Sequence, residues 1–363
     1  MKKLLSVILA WILLLTCAAL PAQAADGDRF QEGAFTFERL PNGSLMLVAY
    51  EGNEDEVYIP ANSKGYAVER IGEYAFDGAR MRKVTIPESV KMISAFAFNN
   101  CANIQRIDIP NSVRFIDGNP FTGCASLVNI YVKPDHPTLK VILEDQSLYN
   151  MANKMLLCYP CSSKKENYKV QEGTVTIGKH AFQDCKALKK VELPESVTQI
   201  GDEAFSFCSN LTEMKLPASL LTIGQGAFMC CQSLTEIEIP DSVQAIHQST
   251  FFKCSSLTGV KFPRSLTEIG DRAFCQCGKL TEIRLPDQLS TIGSKAFYEC
   301  AALRAAYVPN TVNTIGENAF GKCSPQLYLH LNDENSEYAF ASIYAEVCNI
   351  SWTNDRDKEF LKK

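Results

Sequence analysis

The sequence predicts an α/β, β-rich solenoid, in which short repeated units stack along one axis. Two observations support this prediction. Seven phenylalanines from Phe182 to Phe320 lie 23 residues apart, and each is followed three residues later by a cysteine, from Cys185 to Cys323. A fixed period over many copies is typical of solenoids, because each unit buries its apolar side only against its neighbours. We expect about ten repeats and one continuous core.

The N-terminus has the pattern of an export signal. Lys2 and Lys3 precede an apolar run over residues 4–20, and Ala22 and Ala24 form a small-x-small cleavage site. This pattern predicts a signal peptide over residues 1–24 and a secreted or cell-surface protein. The alternative is a lipoprotein signal with Cys17 as the lipidated residue, which is the only membrane attachment that the sequence suggests.

The charge balance argues against one class of partner. The formal net charge is −5, and loss of the two signal lysines makes the mature chain more acidic. Proteins that bind nucleic acids carry a basic face that neutralises phosphates. Because the sequence has no such face, we predict no nucleic-acid partner.

Residues 25–70 are predicted to form an N-terminal β cap and the first repeat. Apolar and polar residues alternate over 34–40 and 44–50, on either side of an Asn42-Gly43 pair that favours a β-hairpin turn. Phe35, Phe37, Leu45 and Leu47 would share one face. A solenoid needs a cap because its first unit otherwise exposes an unpaired strand edge.

The repeat array is predicted over residues 71–323, with one large break. Phe121 and Phe182 are 61 residues apart instead of 23. Within the irregular insertion at 141–168, two short strands at 146–150 and 155–160 are predicted to pair as a hairpin. We interpret the insertion as a structural variant of the repeat, and the alternative is a functional insertion.

Residues 324–363 are predicted to form a C-terminal strand-helix cap and tail. Residues 327–331 are predicted to be a strand, and 336–347 a helix with apolar residues at helical spacing. Residues 350–352 would pack behind this helix, and the charged tail at 355–363 would be frayed.

Each unit has a simple pattern. Leu234, Ile237 and Ile239 are predicted to face inward from a short strand that Pro240 ends, because proline cannot donate to a strand ladder. A second inward segment ends in Ile-Gly in most copies, which indicates a backbone position that tolerates no Cβ. His247 replaces this glycine in one copy without an evident reason. The following Ala-Phe-x-x-Cys is predicted to form a short helical turn.

The pattern L-x-x-I-x-I-P-x-S-V-x-x-I-G-x-x-A-F-x-x-C resembles the BspA-like leucine-rich repeats over about residues 57–323. The resemblance implies a right-handed leucine-rich-repeat solenoid. It also implies a bacterial secreted or cell-surface protein of a host-associated organism, a group in which some members are adhesins for host matrix proteins. It implies no particular ligand, because the motif consists of core residues.

The cysteines are predicted to be mostly free thiols. Neighbouring strands lie about 4.8 Å apart, whereas a disulfide requires Cβ atoms about 3.5–4.5 Å apart. Repeat cysteines therefore suit a buried, reduced column. Cys158 and Cys161 form a C-x-x-C pair, for which the interpretations are a local disulfide or two free thiols, since a thioredoxin-like setting and a second pair for zinc are missing.

The remaining chemistry is sparse. The histidines are scattered, at His136, His180, His247 and His330, and no nucleophile, zinc or phosphate-binding motif is present. We therefore predict no catalytic residue, no metal, no cofactor and no enzymatic activity.

The exposed strand positions are the candidate binding residues. One column is predicted to alternate in charge over its first four members, which could be explained by stacking alone, and consists of Glu192, Lys215, Glu238, Lys261, Arg284 and Tyr307. A neighbouring acidic column, interrupted by Gly259, consists of Glu213, Glu236 and Glu282. We predict a protein-binding solenoid, an adhesin for host or neighbouring-cell proteins such as an extracellular-matrix protein. The alternative is a non-adhesive envelope scaffold that binds other bacterial proteins.

Overall fold

The computed structural model describes residues 29–331 and 350–352. These residues form a β-solenoid of about 12 turns, each of which we call a rung. Every regular rung contributes one strand to a first face, one strand to a second face, and a tight segment, the turn face, that contains the repeat phenylalanine. The predicted signal peptide with Cys17, the predicted helix at 336–347 and the predicted tail lie outside the described residues.

A three-stranded antiparallel meander stands at the N-terminal end. It consists of β1 (Arg29–Glu32), β2 (Phe35–Arg39) and β3 (Leu45–Tyr50), with Phe37 opposite Leu47 and both side chains fully buried. β3 then pairs in parallel with the first strand of the second face. The hairpin expected from Asn42-Gly43 is thus present at the end of a ladder, and its capping role remains a prediction.

The first face carries the strands that end near the repeat proline. Their bounds are β4 (Glu56–Tyr58), β7 (Lys83–Thr85), β9 (Arg106–Ile109), β11 (Asn129–Val132), β15 (Asn167–Lys169), β17 (Lys190–Glu192), β19 (Glu213–Lys215), β21 (Glu236–Glu238), β23 (Gly259–Lys261), β25 (Glu282–Arg284), β27 (Ala305–Val308), β29 (Tyr328–Leu331) and β30 (Ile350–Trp352). Neighbours in this series pair in parallel within four separate sheets.

The second face carries the strands that precede the repeat glycine. Their bounds are β6 (Tyr66–Ile71), β8 (Met92–Ser94), β10 (Phe115–Asp117), β14 (Met155–Cys158), β16 (Thr176–Ile177), β18 (Gln199–Ile200), β20 (Thr222–Ile223), β22 (Ala245–Ile246), β24 (Glu268–Ile269), β26 (Thr291–Ile292) and β28 (Thr314–Ile315). A short strand, β5 (Asn62–Ser63), pairs antiparallel with β6. Three sheets make up this face.

Residues 29–331 contain no helix, so the α component of the predicted α/β class and the predicted helical turn are both wrong. It follows that no helix among these residues could cross a membrane. The reason for the missing helical turn is the backbone around each repeat phenylalanine. Glu203 and Phe207, on either side of Phe205, both have positive φ, at 50° and 60°, and the equivalent positions of other rungs repeat this. L-residues enter the left-handed region singly and cannot continue a right-handed helix through it.

The turn face has its own ladder of hydrogen bonds. The backbone N–H groups of Glu203, Phe205 and Phe207 donate to carbonyls of the next rung at 2.8 Å. Buried backbone N–H groups must find acceptors. These hydrogen bonds between rungs provide the acceptors although the segment is neither helix nor strand. The repeat period is therefore enforced on three faces.

Stacked phenylalanine rings form the centre of the core. From Phe182 to Phe320, successive ring centroids lie 4.8–5.4 Å apart with interplanar angles of at most 10°. Tyr159 takes the aromatic position in the preceding rung, 5.4 Å from Phe182. Phe76, Phe98 and Phe121 continue the column on the N-terminal side of the insertion.

The insertion divides the core into two clusters. Its strands are β12 (Leu139–Ile142), β13 (Ser147–Asn150) and the second-face strand β14, which form two consecutive antiparallel pairs. β14 then pairs in parallel with β16. Leu156 of β14 packs into the C-terminal cluster, whereas the adjacent Leu157 packs into the N-terminal cluster. The predicted single continuous core is therefore two cores that share one strand.

A second interruption, which we call the seam, lies between consecutive rungs of the C-terminal array. On the first face β19 and β21 belong to different sheets, and on the second face so do β20 and β22. His247 lies directly after β22, in the glycine position. The turn face continues across the seam, since Phe228 N–H donates to the Thr250 carbonyl at 2.9 Å.

The glycine position explains why a side chain is disfavoured there. A Cβ built on Gly224 or Gly293 would lie 2.5 Å from a backbone nitrogen of the preceding rung, although neither glycine has positive φ. The predicted intolerance of a Cβ thus arises from close backbone approach between rungs. His247 has a Cβ at this position, and the second-face strands on either side of this contact, β20 and β22, belong to different sheets.

We predict that Gly293→Ala destabilises the protein by about 1–3 kcal/mol, because the new methyl group must displace the preceding backbone. The measurement is the midpoint of urea unfolding. Gly278→Ala is the matched control, since a Cβ there meets nothing within 4 Å. Equal midpoints for the two variants would contradict the close-approach explanation.

Candidate protein-binding surfaces

The predicted column of exposed residues lies on the first face. The structure pairs Glu192 with Lys215, Glu238 with Lys261, and Arg284 with Tyr307 as strand neighbours. Their side chains are exposed, except that Tyr307 is half-buried. The sequence period therefore placed these residues in one column, although the column passes through three sheets.

The expected alternation of charge is realised in only one of these pairs. Lys261 forms an ion pair with Glu238 of the preceding rung. Glu192 instead pairs within its own strand with Lys190, at 3.4 Å, and so leaves Lys215 without an ion-pair partner in the described part of the chain. Exposed pairs of this type contribute little to stability, about 0–1 kcal/mol, so the column adds little to the stability of the array.

Arg284 forms a different arrangement. Its guanidinium Nε donates to Glu282 of the same strand at 2.8 Å, and the group lies over the Tyr307 ring at 4.5 Å from the centroid. An arginine held by both a carboxylate and an aromatic face has fewer accessible rotamers. This end of the column is a preorganised cationic and aromatic patch.

The acidic column lies beside it. Glu213 and Glu236 occupy equivalent positions on either side of the seam, whereas Gly259 and Ala305 are the strand neighbours of Glu236 and Glu282. Lys190 is the strand neighbour of Glu213. The first face thus presents basic and acidic side chains in adjacent columns.

A groove lies on the second face, where the insertion interrupts the ladder. It has a volume of about 420 Å³ and runs from β10 past the insertion hairpin to His247. Outward side chains of successive strands line it, namely Thr176, Gln199 and Thr222. Sequence reasoning missed this groove because it arises from the way the hairpin is inserted, and the break in the period was its only signal.

The repeat cysteines are free thiols in the structure, buried in each copy except the last, where Cys323 is half-buried. The thiol of Cys208 donates to the Phe182 carbonyl of the preceding rung at 3.0 Å, and Cys231, Cys254, Cys277 and Cys300 repeat this contact at 3.1–3.2 Å. Burial raises the pKa of Cys208 and of Cys323 to about 12. Since the thiolate is the reactive form, these thiols are structural groups.

Cys158 and Cys161 are also free thiols. Cys158 is fully buried and burial holds its pKa well above the usual range, while Cys161 is half-buried with its pKa raised by the same cause. In residues 29–331, no group of three or more His, Cys, Asp or Glu side chains is arranged to hold a metal ion.

We predict that iodoacetamide at pH 8 modifies the repeat cysteines of the native protein far more slowly than those of the urea-unfolded protein. Burial and a raised pKa both suppress the thiolate. Mass spectrometry of tryptic peptides measures the rate at each cysteine. Half-buried Cys161 is the internal comparison and should react before Cys208. Rapid native labelling of Cys208 would contradict the structural role.

His180 is a half-buried histidine at the junction of the two array segments. Its ring lies 4.3 Å from that of Phe96, its Nδ1 lies 3.8 Å from a Glu203 carboxylate oxygen, and this nitrogen has no hydrogen-bond partner. Burial lowers the pKa of His180 to about 4, an effect that Asp202 opposes and Lys179 adds to. His180 therefore remains neutral at physiological pH.

We predict that acidification from pH 7 to pH 5 destabilises the wild type more than His180→Gln, by about 2 kcal/mol. The folded pKa of about 4 lies below the ordinary value of 6.5, so the unfolded chain takes up the proton first and stability falls as pH drops through this range. Urea unfolding at both pH values measures the difference. His247→Gln, at an exposed histidine, is the control and should behave as wild type. The raised pKa of Glu203 acts in the opposite direction, and an equal pH dependence of wild type and His180→Gln would show that His180 does not contribute.

Comparison with protein families agrees with this architecture. The sequence model of the BspA type leucine rich repeat region matches the chain in six copies, over residues 55–151, 157–240 and 221–350. The chain belongs to this family. A search of curated proteins finds no matching sequence.

One of two similar solved structures shows the same fold. A leucine-rich repeat protein from Eubacterium ventriosum superposes with a TM-score of 0.60 at 21% identity, covering 81% of this chain and 94% of that one. A leucine rich cell surface protein from Faecalibacterium prausnitzii matches with a TM-score of 0.46 at 23% identity, covering 93% of this chain and 97% of that one. At 21% identity the likeness to the Eubacterium ventriosum protein shows the fold alone, and the ligand of this BspA-type chain must be inferred from its own surface.

Proposed function

We propose that this BspA-type solenoid is a secreted or cell-surface binding protein that engages a host or neighbouring-cell protein through its first face, as an adhesin. One observation carries the proposal. On the first face, Lys215 has no ion-pair partner among the described residues and lies beside the acidic column of Glu213, Glu236 and Glu282. Such mixed charge on a rigid surface favours a protein partner by electrostatic complementarity.

The signal pattern at residues 1–24 supports export, and the family resemblance supports adhesion. The buried thiols and the absence of a catalytic motif in the sequence fit a binding protein that is not an enzyme. Large repetitive surfaces of solenoids are suited to extended contacts with a partner. The Arg284–Tyr307 contact supplies residue types that are enriched at binding hot spots.

The test is biolayer interferometry of purified residues 25–363 against fibronectin, fibrinogen, laminin and collagen, with a salt titration. We expect saturable binding to at least one of them. The triple variant Lys215→Glu, Lys261→Glu and Arg284→Glu should weaken this binding by about tenfold or more, because charge pairs at an interface couple strongly.

A matched control carries the same change of charge elsewhere. Lys253→Glu, Lys279→Glu and Lys322→Glu alter three exposed lysines outside the first-face strands and should leave binding within about twofold. If both triple variants weakened binding equally, the loss would be caused by the change in net charge, and this would contradict a binding site on the first face. Absence of binding to all four proteins would contradict adhesion to matrix proteins and favour the envelope scaffold.

A further inference from the structure

The insertion leaves one strand of the second face with an unpaired edge. β10 pairs with β8 on one side, with Phe115 opposite Met92. In an uninterrupted array the next second-face strand would pair with its other side. Here β16 pairs with β14 of the insertion instead. In the described part of the chain, β10 is therefore the last strand of its sheet.

The two array segments still meet at the turn face. Asn119 N–H donates to the Lys179 carbonyl, and its side-chain amide donates to the His180 carbonyl, both at 3.1 Å. Gly118 has a φ of 76°, and a Cβ there would lie 3.2 Å from the Lys179 carbonyl oxygen. The segments thus touch at this corner and separate along the strands, and the separation is the groove of about 420 Å³.

The open edge of β10 faces this groove. Phe115 N–H donates towards β8, to the Lys91 carbonyl at 3.2 Å. Backbone groups of successive residues in a strand point to opposite edges, so the N–H and C=O of Ile116 point to the groove side. Ile116, Asp117 and Gly118 line the groove. Unpaired edges of this kind bind extended peptides as an added strand.

The side chains along the groove indicate what the peptide would carry. Phe115 is 53% exposed and Met155 is half-buried, and both can pack against apolar side chains. Asp117 is exposed and has no ion-pair partner among the described residues, whereas the Lys179 ammonium is held by Asp202 at 3.2 Å. The unbalanced charge in the groove is therefore negative.

We propose that the groove binds an extended peptide segment, which adds to the edge of β10 and places a lysine or arginine beside Asp117. This site is separate from the first face and does not depend on the proposed adhesion. Main-chain hydrogen bonds to Ile116 would supply affinity. Apolar contacts to Phe115 and the charge pair with Asp117 would supply specificity, as is usual in strand addition.

The probe is a fluorescein-labelled peptide with the sequence of residues 172–180, Glu-Gly-Thr-Val-Thr-Ile-Gly-Lys-His. This peptide contains the sequence of β16, the strand that would pair with β10 if the array were uninterrupted. Its lysine follows the Ile-Gly pair. Fluorescence anisotropy with residues 25–363 should show saturable binding. A scrambled peptide of the same composition should bind at least about tenfold more weakly.

Two protein variants locate the site. Thr176→Trp fills the groove and should weaken peptide binding by about tenfold. Thr291→Trp is the matched control, because Thr291 is equally half-buried, also precedes Ile-Gly in a second-face strand, and lies outside the groove. Urea midpoints of both variants check that they are folded. Equal binding by the two variants, or no saturable binding of the peptide to wild type, would overturn the proposal.

A charge exchange tests the role of Asp117. Asp117→Lys should weaken binding of the peptide and restore binding of a peptide in which its lysine is replaced by glutamate. The first-face triple variant should bind the peptide as wild type does, which separates this site from the adhesion site. Binding of a glycan by the wild type, lost in Thr176→Trp, without any peptide binding would overturn the proposal in favour of carbohydrate.

Discussion

Close stacking of backbone on backbone is the constraint on which the rest of this molecule depends. Within each sheet, successive rungs hydrogen-bond along their strands, and the turn-face hydrogen bonds continue even across the seam. The glycine position follows from this spacing, because a Cβ there would meet the preceding backbone. The phenylalanine column follows too, since rings at 4.8–5.4 Å stack only if every rung has the same shape. The glycine and phenylalanine of the BspA-type repeat therefore recur because each rung must stack closely on the one before it.

Much of the fold could be predicted from the period alone, because inward residues such as Ile237 and Phe228 recur at fixed intervals. The hairpin at Asn42-Gly43 and the paired strands of the insertion were also readable, since their patterns are local. The helical turn was not found because the left-handed positions carry residues such as Glu203 and Arg272, which show no preference for that conformation. Spacing also could not reveal that Glu192 turns to Lys190 and leaves Lys215 unpaired. The groove depends on a three-dimensional departure from the repeat.

The two candidate surfaces illustrate different ways in which a solenoid acquires function. On the first face, function requires only substitutions at exposed strand positions, which leave the core unchanged. On the second face, the groove requires an irregularity that interrupts backbone pairing and exposes an edge. Proteins normally protect such edges, and the edge of β10 differs from the other sheet ends of this array because a groove lies beside it.

The division of the core by β14 has a consequence for how the molecule holds together. Leu156 and Leu157 belong to separate hydrophobic clusters, so the rungs on either side of the insertion share one strand and the corner near Asn119. In a linear array, cooperativity is transmitted only through contacts between neighbours. We therefore expect the two segments to open as distinct cooperative units, with local opening attenuated at the insertion. Damage to one end of the solenoid would leave the far segment, with its exposed surface, intact.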